Sequence, residues 1–142
     1  MTRLTLAQAN AIIDAAFAEG TSQGLKPLTV TVHDAGGHLI ALQRQDGASN
    51  LRPKLAAGKA AGALALGVSS RKIGDMALDR PHFIAAIDTL GDGGMVPAAG
   101  GVIVSDASGA VLGAVGVTGD TSDADESCAL AGIAAVGLEP LN

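Results

Sequence analysis

Aromatic side chains are almost missing from this chain. Of 142 residues none is Trp or Tyr, and only Phe17 and Phe83 carry a plain ring. A core must then be built from Ala, Val, Leu and Ile, which dominate the 48% of the sequence that is hydrophobic. Cores of small residues bury little area each, and association of subunits is a common way for such domains to gain stability. No ring platform exists on which bases could stack, and 9 Lys and Arg oppose 14 Asp and Glu for a net charge of −5. Nucleic acid is therefore excluded as a partner. The lone cysteine, Cys128, rules out an intramolecular disulfide. No apolar run approaches the roughly 20 residues that span a bilayer. Gln8, Asn10 and Asp14 break the N-terminal segment where a secretory signal would be unbroken. These absences predict a cytoplasmic protein with no membrane partner, folded as one domain over residues 1–142.

What is plentiful is glycine, 20 residues in all, densest between Gly91 and Gly101. That loop feeds two apolar runs, Val102–Ser105 and Val111–Thr118, joined by the turn Asp106-Ala107-Ser108-Gly109. Lacking Cβ, glycine lets backbone or ligand approach closely, so the loop is either a packing corner or the wall of a ligand site. It is not a phosphate cradle. No Lys-Ser/Thr follows it, and no strand–GxGxxG–helix unit can be assembled.

Taken in order, Thr5-Leu6-Ala7-Gln8 has the form of a capping box. Leu6, Ala9, Ile12, Ile13, Ala16 and Phe17 follow at helical spacing, with Gly20 as the expected stop. From Leu28 the period changes to two, and Asp34-Ala35-Gly36-Gly37 turns a hairpin that returns from His38 to Gln45. Its sequence VHDAGGHLIAL parallels VSDASGAVLGAV in the later hairpin. Shared turn chemistry explains the likeness, and duplication is the alternative. Pro53 opens a helix that ends at Gly67, with Gly58 and Gly62 making a flat surface for close packing. Ser69 or Ser70 caps a shorter helix, Arg80-Pro81 breaks it, and His82 to Leu90 reads as helix again. Thr121 or Ser122 caps a last helix that stops at Gly137. The order predicts an α+β fold: an antiparallel sheet of about five strands with flanking helices.

Few residues carry chemistry. Leu55, Lys59, Gly62 and Leu66 share one helical stripe, so the Lys59 ammonium sits on an otherwise apolar face. Either its stem is buried with the charge at an edge, or it is a cation inside a cleft that holds a carboxylate or carbonyl oxygen. Arg44 and Asp46 end a strand and could form an exposed ion pair. Asp125 and Glu126 lie in the first turn of the last helix, where the dipole favours carboxylates whatever their role. His33 and His38 flank the first turn at a spacing that fits no common zinc pattern, so no metal site is expected.

Several segments together resemble the GlcG/HbpS-like family, which includes the C-terminal domain of the PduO type. They are LTLAQANAIIDAA, TVHDAGGHLIALQRQDGA, AAGKAAGALALGVSS, VPAAGGVIV and GAVLGAVGVTGDTSDADE. The more specific positions are Asp34, Gly37, Leu39, Arg44, Asp46 and Gly47, the pair Lys59-Ala60, and Gly113, Gly116, Val117, Thr118, Gly119, Asp125 and Glu126. The resemblance implies a profilin-like fold, a homo-oligomer from dimer up to octamer, and a place in the catabolism of small organic acids, diols or aromatics. Some members bind haem. Histidines found in the first helix of such members are absent from Leu4 to Glu19 here, and no Tyr or Trp is present to stack on a porphyrin.

The leading expectation is a cofactor-independent protein that binds a small anionic or carbonyl-bearing metabolite, with hydrolysis or isomerisation as its reaction if it is an enzyme. Lys59 and Arg44 would hold oxygen atoms and Asp125 or Glu126 would be the base. Met95, Pro97, Gly100, Gly101, Asp46 and His33 would line the pocket. The alternative is a haem-binding, haem-degrading or redox-sensing protein.

Overall fold

Thr5 opens the first helix as the sequence predicts. Its hydroxyl accepts from the Gln8 amide at 3.1 Å, and the Gln8 side chain accepts from the Thr5 amide at 3.0 Å. Two of the helix's free amides are thereby satisfied. The computed structural model describes residues 3–141. Along them run α1 (Leu6–Ser22), β1 (Thr29–Asp34), β2 (Leu39–Arg44), α2 (Arg52–Leu66), α3 (Ser70–Asp79) and α4 (Pro81–Asp88). The second half holds β3 (Gly101–Ser105), β4 (Val111–Thr118), α5 (Ser122–Ala135) and β5 (Glu139–Leu141). The strands form one antiparallel sheet in the order β2-β1-β4-β3-β5.

Alternation along β1 gives the sheet two different faces. Val30 and Val32, with Val102, Val104, Val115 and Val117, meet Ile12, Ile13 and Ala16 of α1 and Cys128, Ala129 and Ile133 of α5. Each large aliphatic fully buried there contributes about 1.5–3 kcal/mol. Gly132 lets α5 approach α1, since a Cβ on it would stand 2.7 Å from the Ile12 carbonyl oxygen. The opposite face carries Thr29, Thr31 and His33, all buried, and is covered by α2 lying over β1, β4 and β3. Here helix backbone rests directly on sheet backbone. A Cβ on Gly101 would strike the Lys59 carbonyl, and one on Gly116 the Ala56 carbonyl.

The two hairpins share one turn. Asp34 Oδ1 accepts from the amides of Gly36 and His38, and Asp106 Oδ1 from those of Ser108 and Ala110. Gly37 and Gly109 both have φ of 86°, a value that asks for glycine. Two boundaries differ from expectation. Gly20 does not stop α1 but lies inside it, where its missing side chain makes room for Leu28, and the chain turns at Gly24 instead, with φ of 69°. The fifth strand, β5, follows the last helix and pairs with β3 at the sheet edge.

Candidate functional site

Lys59 is 4% exposed, held between α2 and the sheet. Its Nζ donates to the Val117 carbonyl at 3.0 Å and to Asp125 Oδ2 at 3.2 Å. Asp125 is 1% exposed, and its other oxygen accepts from the Asp120 amide at 3.0 Å. Burial pulls the Lys59 pKa below the usual lysine range, against the opposing effect of Asp125. Gly100, at φ of 130°, closes the lid: a Cβ there would stand 2.9 Å from Nζ. Of the expected acid–base set, Lys59 and Asp125 are brought together, but each neutralises the other out of reach of solvent.

The other expected residues lie elsewhere. Arg44 Nη1 donates to Asn50 at 3.2 Å, and Arg44 and Asp46 line a groove of ≈ 580 Å³ with Phe17, Thr21, Gln43 and Gln45. Lys59 is not part of that groove, so the single pocket expected to join Lys59, Arg44 and the glycine-rich loop is replaced by separate features. Glu126 is held by Arg71, whose Nε donates to both carboxylate oxygens at 3.1 Å while Nη2 meets Asp123. These carboxylates hold the guanidinium pKa up. Met95 and Val96 form a strap across α2, seated where Gly62 and Gly58 lack side chains: their Cβ positions would lie 3.1 Å and 2.7 Å from the strap. The Pro97 carbonyl rests against Gly74 of α3, whose Cβ would be 2.9 Å away. Gly100 and Gly101 serve the packing around Lys59.

His33 is buried, with Nδ1 at 3.2 Å from the Gly37 carbonyl. A carbonyl only accepts, so Nδ1 carries the proton and Nε2 is left as an acceptor. Nε2 has no hydrogen-bond partner among the described residues. Burial lowers the His33 pKa, the Gly37 bond and Asp34 notwithstanding. His38 is the reverse: its side chain is 82% exposed, and its Nδ1 faces Asp34 Oδ1 at 3.3 Å.

Sequence reasoning missed two clefts, of which one adjoins this turn. One, of ≈ 270 Å³, lies between the 35–38 turn, Ala61, Leu64 and Ala65 of α2, and Gly91 to Gly94. The other, of ≈ 320 Å³, is lined by Leu66, Phe83, Ile87, Leu90 and Met95, and shares Ala65, Gly91 and Gly94 with the first. Arg80 lies over the Phe83 ring, 4.1 Å from its centroid. The signal for the second cleft was present in the apolar residues of the 82–90 segment, which had no stated partner. The thiol of Cys128 is buried and its pKa is pushed up to about 11, chiefly by desolvation, which makes it a poor nucleophile. Among the described residues no cluster of His, Cys, Asp and Glu could hold a metal ion, and no helix is long and apolar enough to cross a membrane.

Comparison with known proteins places this geometry in a family. Residues 4–134 match the family described as "Haem degrading protein HbpS-like". Crystal structures of HbpS are similar at 29% identity. One covers 96% of this chain and 92% of its own at a TM-score of 0.83; a double mutant of the Streptomyces reticuli protein covers 96% and 89% at 0.82. The PduOC:haem complex is 22% identical over 99% of both chains, with a TM-score of 0.86, a likeness of fold alone. No curated protein matches by sequence. With the family model spanning nearly all of the described residues, this chain belongs to the HbpS-like family.

Proposed function

We propose that this chain binds haem in the apolar cleft bounded by the end of α2, α4 and the start of the glycine-rich loop. The observation that carries this reading is the lining of that cleft: Leu66, Phe83, Ile87, Leu90 and Met95 make the wall, and Asp88 is its one charged residue. A cleft of ≈ 320 Å³ with so little polarity suits a flat, largely apolar ligand. Haem also carries two carboxylates, and Arg80 supplies a cation beside the Phe83 wall. The residues present therefore fit the group. Bound there, haem would supply redox chemistry at its iron. The family description supports the same reading, and it replaces the expectation of a protein without a cofactor.

Hydrolysis or isomerisation by Lys59 and Asp125 gains no support from an ion pair sealed under Gly100. The homo-oligomer implied by the resemblance stays part of the proposal, supported by Leu39, Leu51, Leu78 and Leu90, all more than half exposed. Titrating the protein with hemin tests the function. A saturable Soret shift, weakened by Phe83→Ser and by Leu66→Glu, is expected; spectra matching free hemin throughout would overturn the proposal.

A further inference from the structure

We propose that a separate cleft at the start of α2 binds a compact oxyanion, a carboxylate or a phosphate, between Arg52 and Lys26. It shares no residue with the apolar cleft, so the assignment stands apart from the haem reading.

The cleft holds ≈ 200 Å³, and its lining includes Lys26, Gly47, Ser49, Arg52 and Gly119. Two cations and no carboxylate line it, in a chain whose net charge is −5. Neither cation is spent on an ion pair among the described residues, where the paired cations are His38, Lys59 and Arg71. Arg52 is half-buried and anchored, its Nη1 donating at 2.8 Å to the hydroxyl of Thr118, itself buried at the end of β4. That bond holds the guanidinium in place and leaves its remaining N–H groups without an acceptor among the described residues. A held fork of free donors suits the paired oxygens of a carboxylate or phosphate.

Asp120 follows Gly119 in the chain, but its carboxylate is engaged with backbone. Oδ2 accepts from the Lys26 amide at 2.9 Å and Oδ1 from the Thr121 amide at 2.8 Å. Its charge partly offsets that of Lys26, which makes Arg52 the main anchor and Lys26 the lesser one.

The walls are in place before any ligand arrives. The Gln45 amide donates to Leu28 at 2.9 Å, Ala48 to Gln45 at 3.1 Å and Arg52 to Ser49 at 3.1 Å. Gly47 and Gly119, at φ of 85° and 154°, contribute bare backbone that a ligand can approach closely. Little ordering is therefore needed on binding. A tether of α2 to β4 would need only the Arg52–Thr118 bond. Lys26 takes no part in that bond, and its side chain makes no hydrogen bond among the described residues.

The test titrates the hemin-free chain with sodium malonate and, separately, sodium phosphate at constant ionic strength, read by amide and arginine nitrogen shifts. Saturable shifts confined to Gly47, Ser49, Gly119 and the Arg52 side chain are expected, the tighter anion naming the class. Lys26→Gln should weaken that binding several-fold, and Arg52→Gln about tenfold or more. Arg52→Lys keeps the charge without the fork and should weaken binding nearly as much. Lys54→Gln removes an equal charge from the first turn of α2 outside the cleft, and should bind as the parent does. Lys26 is exposed, so Lys26→Gln is expected to fold even if Arg52→Gln does not. Equal weakening by Lys26→Gln and Lys54→Gln would reduce the binding to diffuse attraction and overturn the site. Shifts that never saturate or that spread over the whole surface would overturn it too, as would parent-like affinity in Arg52→Gln.

Discussion

Lys59 Nζ and Asp125 Oδ2 face each other at 3.2 Å, with side chains 5% and 1% exposed, and so join α2 to α5 beside the Val117 carbonyl. Removing one member leaves a buried charge without its partner, which typically costs about 3–5 kcal/mol. Lys59→Ala and Asp125→Ala should each lose about that much stability in urea unfolding. Replacing both by apolar residues of similar volume, as in Lys59→Met with Asp125→Leu, should recover most of the loss, because desolvation of the pair offsets much of its attraction. Additive losses in the double variant would show that the pair is not the unit of stability.

The glycines under α2 give a second prediction. A Cβ on Gly101 would meet the Lys59 carbonyl and, at 2.9 Å, the Ser70 hydroxyl. That hydroxyl accepts from the Gly101 amide at 2.7 Å. Gly101→Ala must therefore push helix from sheet and should cost about 3 kcal/mol, the upper end of overpacking penalties. Gly91 has nothing within 4 Å and no positive φ, so Gly91→Ala should change stability by no more than about 0.5 kcal/mol. Thermal unfolding of the two variants side by side checks the contrast. Equal effects would mean that glycine in this region serves flexibility rather than contact.

These residues also show what the sequence made legible. The stripe Leu55, Lys59, Gly62, Leu66 was visible because helical spacing puts those positions on one face. The partner of Lys59 was not, since Asp125 lies 66 positions away in sequence and only the crossing of β4 brings it near. Gly58 and Gly62 announced a flat helix surface, yet nothing local said that Met95 and Val96 fill it. Gly20 reads as a helix stop by propensity, and tertiary contact with Leu28 overrides that. Hairpins fared best. Their signals are local, and the Asp34 and Asp106 turns form as their sequences predict. Ring direction at His38 was beyond any pattern, because it depends on one side-chain bond across the turn.

A third prediction concerns pH. Burial holds the His33 pKa below its ordinary value, with Asp34 the neighbouring charge and the Gly37 carbonyl the bonding partner, both raising it. The unfolded chain therefore takes up a proton on His33 before the folded one does. Stability from this group is fully present above the ordinary histidine pKa of about 6.5 and is lost as pH falls toward the depressed folded value. Urea unfolding between pH 7.5 and 5.5 should show the parent losing stability on acidification and His33→Gln losing less. Parallel profiles for the two proteins would remove His33 as the source.

Arg80 stacks on Phe83, one wall of the apolar cleft, 4.1 Å from the ring centroid, which puts a cation beside the cleft proposed to hold haem and its two carboxylates. Stacking keeps a guanidinium in place while leaving its in-plane donors free for a carboxylate. Arg80→Ala should then weaken hemin binding several-fold, and added salt should weaken the parent more than the variant, because the lost contact is ionic and exposed. Hemin dimethyl ester separates this from a packing effect. It has no free carboxylate, so the parent and Arg80→Ala should bind it alike, whereas Phe83→Ser should weaken hemin and ester together. If Arg80→Ala weakens both ligands equally, the side chain acts by supporting the Phe83 ring and the propionate contact must lie elsewhere.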